Sequence, residues 1–73
     1  MFVKDTGHTV VNSVREKRTS LKMTQDELAE KVRATRQTII AIEKGNYAPS
    51  VLLALKIAEF FKIKVEDLFR YEK

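Results

Sequence analysis

Arg36 and Gln37 stand side by side in the stretch TRQTIIAIEKG, residues 35–45, and both carry side chains suited to reading a flat hydrogen-bonding edge. A guanidinium matches guanine O6 and N7, and a carboxamide matches adenine N6 and N7. At a helical period Arg36, Gln37, Ile40, Ala41 and Lys44 fall on one face, while Ile39, Ile42 and Glu43 share the opposite one. The first face is what a DNA-reading helix presents to a major groove. Thr35 and Thr38 suit a cap and a phosphate contact. Ile40 either touches a thymine methyl or leans on its own helix, and the sequence leaves both open. Ala41 permits close approach and reads little.

No comparable set of residues points to catalysis. The single histidine, His8, lies ahead of any helical pattern, and cysteine is absent. No Ser-His pair or carboxylate cluster faces a plausible pocket. The expectation is a protein that is not an enzyme, with no cofactor, no metal and no disulfide.

Two helices joined by a tight turn must position the reading face. Thr24 can cap the first, with Glu27 three residues on to complete a capping box. Leu28, Ala29 and Val32 give that helix, Gln25 to Val32, an apolar face. Arg33-Ala34 forms the turn, Thr35 caps the second helix, and Gly45 can end it in a left-handed conformation. Gln25 sits in the first turn of its helix, where a side-chain amide and free backbone N–H groups can meet a phosphate.

With 73 residues the chain has room for one domain. Its formal net charge is +4 and its pI near 9.6, which suits a polyanionic partner without requiring one. No apolar run is long enough to span a membrane and no signal-peptide pattern opens the chain, so a cytoplasmic location and no membrane partner are expected.

The chain from about Val14 to Phe69 closely resembles the helix-turn-helix of the Cro and phage-repressor type, the xenobiotic-response-element family. The resemblance is carried by Thr24-Gln25, Leu28-Ala29, Thr35-Arg36-Gln37-Thr38-Ile39, Ile42-Glu43, Gly45, Tyr47, Pro49-Ser50 and Leu55-Lys56-Ile57-Ala58. It implies an all-α, five-helix lambda-repressor-like fold, which some small members close with a short terminal β-hairpin. It also implies a buried structural ion pair between Arg18 and Glu43, fixing the angle between helices one and three. By the same resemblance Gln25 and Tyr47 contact phosphates, although Tyr47 could instead pack over Pro49. Family members commonly carry glycine where this chain has Lys22, Arg33 and Lys62.

In chain order, residues 1–8 form an N-terminal arm and residues 9–73 the domain, with its motif over 24–45. Phe2-Val3 belongs either to a disordered arm or to an edge strand pairing with Leu68 to Tyr71. A minor-groove arm is disfavoured, because Lys4 is its only cation. A first helix is expected from Thr9 as cap, with Val10, Val14 and Leu21 in the core, ending near Ser20 to Lys22. Ser50 caps helix four, Val51 to Phe61, which is apolar nearly all round. A fifth helix runs from Val65 to Phe69, weakly started at Lys64.

The apolar excess of helix four implies a partner surface, most simply a two-fold dimer through Leu52, Phe69 and Tyr71. The expected function is a sequence-specific DNA-binding transcriptional regulator: a homodimeric repressor that occludes a palindromic operator in double-stranded DNA. Arg36, Gln37, Ile40 and Ala41 would face the bases, and Gln25, Thr35, Thr38, Lys44 and Tyr47 the phosphates. No small-molecule effector domain is expected. The alternative is an antitoxin or protein-interaction module that binds DNA secondarily.

Overall fold

The structure, a computed structural model, describes residues 9–72. The arm expected over residues 1–8, with Phe2, Val3, Lys4 and His8, lies outside the described residues. In chain order the elements are β1 (Thr9–Asn12), α1 (Val14–Ser20), α2 (Gln25–Val32), α3 (Arg36–Lys44), α4 (Val51–Phe61), α5 (Val65–Leu68) and β2 (Phe69–Glu72). Five helices thus build the fold, and one antiparallel strand pair joins its two ends.

Local sequence explains where α2, α3 and α4 begin and end. Thr24 Oγ1 accepts from the Glu27 N–H at 3.0 Å and Glu27 Oε1 accepts from the Thr24 N–H at 2.8 Å, closing the capping box. Thr35 Oγ1 accepts from the Thr38 N–H at 3.1 Å, and Ser50 Oγ from the Leu53 N–H at 3.1 Å. Gly45 ends α3 at φ 80°. Arg33 ends α2 and Lys62 ends α4, both at φ 60°, and Lys22 follows α1 at φ 57°. All three non-glycine residues hold the left-handed conformation in which a Cβ crowds the backbone.

The N-terminal segment departs from expectation. Thr9 does not cap a helix, because Thr9–Asn12 is a strand, paired with β2 in the register Thr9↔Glu72 to Asn12↔Phe69. The Val10–Val14 spacing suggested a helical turn, but consecutive Thr, Val and Val are β-branched and favour extended backbone when a partner is available. That partner is β2. The described mate of the C-terminal strand is therefore Thr9–Asn12 rather than Phe2-Val3. Val10 consequently leaves the core and is 40% exposed. Leu21 is exposed as well, because α1 stops at Ser20 and the chain turns out through Lys22. At the other end α5 stops at Leu68, one residue before expectation, since Phe69 turns extended to start β2.

The core is small and continuous. Val14 of α1, Leu28, Ala29 and Val32 of α2, Ile39 and Ile42 of α3, Ile57 and Ala58 of α4, and Leu68 of α5 are all buried. Each fully buried Leu, Ile or Val contributes roughly 1.5–3 kcal/mol. Phe60, Phe61, Phe69 and Met23 pack around them, half-buried. Ala29 is buried in the helix that packs on α3, where a small side chain lets two helices approach. The result is that α3 is pinned along its inner face, and its outer face is left to solvent.

Candidate nucleic-acid interface

Burial sorts the residues of α3 by face. Ile39 and Ile42 are fully buried, Arg36, Gln37 and Lys44 are exposed, and Ile40 and Ala41 are intermediate. Arg36 and Gln37 therefore project from the first turn of a helix whose opposite side is fixed in the core. Arg36 has one weak tie, its Nε 4.0 Å from Asp26 Oδ1, with both side chains mostly exposed. A pair of that kind is worth at most about 1 kcal/mol in water, so Arg36 is readily released to another acceptor.

Behind α3 the side chains of α1 and α2 form a charged network. Arg18 Nε donates to Glu43 Oε2 at 2.7 Å and Nη2 to Glu43 Oε1 at 3.1 Å, while Nη1 donates to the Met23 carbonyl at 2.7 Å. The fork of the guanidinium thus meets the carboxylate bidentately, with only 12% and 5% of the two side chains exposed. The pKa of Arg18 is raised, chiefly by its hydrogen bonds to Glu43; burial opposes the shift and the charge of Glu43 adds to it. Arg18 stays charged, and Glu43 holds its partner across α1 and α3.

Gln25 joins the same network. Its Nε2 donates to Glu43 Oε1 at 3.1 Å, so one of the amide hydrogens expected for a phosphate is already engaged. The second amide hydrogen and the free N–H groups of the first turn of α2 remain for an anion. Thr35 serves as the cap of α3, and its hydroxyl also lies 2.9 Å from that of Thr38. Tyr47, beyond the end of α3, is exposed.

Gln25, Arg36, Ile40 and Lys44 line one open concavity of about 730 Å³ together with Arg15, Arg18, Asp26 and Glu43, whereas Gln37, Thr35, Thr38 and Tyr47 are not part of its lining. Ile40 lines this hollow between charged neighbours and is half-buried. Arg15 and Lys44 leave the hollow net positive, the carboxylate of Glu43 being matched by Arg18 and that of Asp26 by Arg36. The shape and charge suit a phosphate backbone and a groove edge.

Two residues at the site escape the sequence pattern. Arg15 lies one helical turn before Arg18 and brings a third element, α1, to the basic rim; the i to i+3 spacing is the only sequence signal for it. Asn12 donates from Nδ2 to the Ile42 carbonyl of α3 at 2.9 Å. Nothing local in the sequence marks that contact. Elsewhere in the fold, Val51, Leu52 and Leu55 of α4 are exposed, as is Tyr71 of β2, whereas Phe69 packs half-buried against the core. Of the three residues expected on a dimer surface, Leu52 and Tyr71 are exposed and Phe69 is half-buried against the core.

Comparison with known proteins agrees with this architecture. A family profile described as helix-turn-helix matches residues 14–68. An HTH-type transcriptional regulator of Methanocaldococcus jannaschii is 54% identical over 61 residues, covering 84% of this chain and 92% of the relative. The HTH-type transcriptional regulator YgzD of Bacillus subtilis is 52% identical over 62 residues, covering 85% and 94%. Among solved structures, the restriction-modification controller protein C.AhdI of Aeromonas hydrophila superposes with a TM-score of 0.70 at 30% identity, over 77% of this chain and 85% of that one. The clp gene regulator ClgR of Corynebacterium glutamicum gives 0.68 at 25% identity, over 75% of this chain and 58% of that one. With its capped helix pair α2–α3, its five-helix core and a profile match across most of its length, the chain belongs to the helix-turn-helix family of the Cro and phage-repressor type.

Proposed function

We propose that the protein is a sequence-specific DNA-binding transcriptional regulator that acts as a dimeric repressor by occluding a palindromic operator. The observation that carries this reading is the exposure of Arg36 and Gln37 on the first turn of α3, opposite the fully buried Ile39 and Ile42. A rigidly seated helix with free hydrogen-bonding side chains at its N-terminal end is the geometry required to enter a major groove and read base edges. Arg36 and Gln37, with Ile40 and Ala41, face the bases; Gln25, Thr38, Lys44 and Tyr47 face the phosphates, with Thr35 holding the helix start. Residues 9–73 act as one domain with its reading motif over 24–45, working in the cytoplasm.

The dimeric part of the reading is supported by the exposed Val51, Leu52 and Leu55 on one helix, an apolar patch of the kind that marks interaction sites. A two-fold partner would set two copies of α3 about 34 Å apart, one helical turn of DNA. The same patch suits a different protein, as in an antitoxin pair, and co-purification of a second chain would favour that reading.

A binding-site selection on random duplex DNA tests the proposal. A palindromic motif with half-sites one turn apart is expected. Recovery of no motif, with uniform salt-sensitive binding, would overturn sequence-specific regulation.

A further inference from the structure

We infer that Asn12 is a positioning residue for α3: its side chain ties the terminal strand pair to the last turn of the helix that carries Arg36 and Gln37. The inference rests on the DNA-reading role proposed for α3.

Asn12 spends both ends of its carboxamide on other elements. Nδ2 donates to the Ile42 carbonyl at 2.9 Å, and Oδ1 accepts from the Val14 N–H at 3.0 Å. Its own backbone sits opposite Phe69 in the strand pair, and the next N–H, that of Ser13, donates to the Leu68 carbonyl at 3.0 Å. One side chain therefore joins β1, the start of α1 and the end of α3, across 30 residues of sequence.

The chemistry of the contact suits a helix end. The last carbonyls of an α-helix have no intrahelical donor. Ile42 O accepts from the Gly45 N–H at 3.0 Å and takes its second donor from Asn12. The neighbouring residue, Glu43, is held by Arg18. The C-terminal turn of α3 is thus fastened to α1 by an ion pair and to β1 by an amide. The core contacts of Ile39 and Ile42 are apolar and non-directional, so they permit small rotations of α3 that a hydrogen bond of defined length does not. Asparagine answers both demands of the position. Aspartate would keep an oxygen for Val14 and lose the donor for Ile42, and the single hydroxyl of serine, on a shorter side chain, cannot span both partners at once.

The test compares wild type with Asn12→Ser and Asn12→Asp by circular dichroism, thermal melting and titration against the selected operator and a scrambled duplex at two salt concentrations. Serine leaves the charge unchanged, and its hydroxyl can still accept from the Val14 N–H two residues on. The expected result for a folded Asn12→Ser is an operator affinity lower by roughly 5- to 100-fold, the range set by a misaimed bidentate base contact. Affinity for scrambled DNA and the salt slope should hold, so the specificity ratio shrinks. A folded variant that keeps the wild-type ratio overturns the inference. Asn12→Asp adds a carboxylate beside the negative end of α3 and should shrink the ratio further. Should both variants unfold, the wild type decides: slow solvent exchange of the Asn12 side-chain amide protons by NMR supports the tether, and fast exchange overturns it. A wild type that does not distinguish operator from scrambled duplex removes the DNA-reading role itself, a separate outcome.

Discussion

Glu43 Oε1 accepts from both Arg18 Nη2 and Gln25 Nε2, each at 3.1 Å, so one carboxylate on α3 binds a side chain from α1 and another from α2. Helix α3 is thereby locked at its C-terminal end to both helices that precede it. Only 5% of the Glu43 side chain is exposed, and its hydrogen bonds fix α3 against α1 and α2.

Glu43→Ala should cost about 1–3 kcal/mol, because it leaves the largely covered Arg18 guanidinium with the Met23 carbonyl as its remaining acceptor. In a domain of this size that is a large share of the total stability. Thermal melting beside the exposed control Glu59→Ala checks it; equal shifts in the two variants would mean the pair carries no buried charge.

The left-handed residues supply an independent stability test. Gly45→Ala should lower stability by about 1–2 kcal/mol through backbone strain alone, since an added Cβ meets nothing within 4 Å. Lys62→Gly relieves the same strain, offset in part by the unfolded-state entropy of glycine, for a net gain of under about 1 kcal/mol. Denaturant midpoints measure both. A loss for Lys62→Gly as large as that for Gly45→Ala would show that its conformation carries no strain.

Leu52→Glu should leave the fold intact, since 64% of Leu52 is exposed, and should shift sedimentation at micromolar concentration from dimer to monomer. Operator affinity should fall with it. A wild type that sediments as a monomer at high concentration rules out this surface as a free-standing dimer contact.

Reading and gripping should separate by mutation. Arg36→Ala or Gln37→Ala should cost roughly 1–3 kcal/mol on the operator and relax the preference at one or two base pairs per half-site. Lys44→Ala and Arg15→Ala should weaken all sequences alike and lower the salt slope by about one each. Gln25→Ala should weaken all sequences and also lower the melting temperature, because Gln25 braces Glu43. Titrations against single-base operator variants at several salt concentrations distinguish the classes; an unchanged sequence ranking in Arg36→Ala and Gln37→Ala would show that α3 is not the reader.

Sequence alone determined the helix-turn-helix itself. The capping box of Thr24 and Glu27, the Thr35 and Ser50 caps, the stop at Gly45 and the apolar faces of α2 and α3 are encoded within a few residues of where they act. Short-range hydrogen bonds and the 3.6-residue period suffice to specify them. Tertiary structure decided what depends on distant partners. Thr9–Asn12 became a strand because β2, at the other end of the chain, completes its hydrogen bonds, and Val10 left the core as a result. The same long-range closure delivered Asn12 to the Ile42 carbonyl, brought Arg15 to the basic rim and turned Gln25 toward Glu43. No local pattern contains those contacts, because each is made only when α1, α3 and the strand pair have packed around one core.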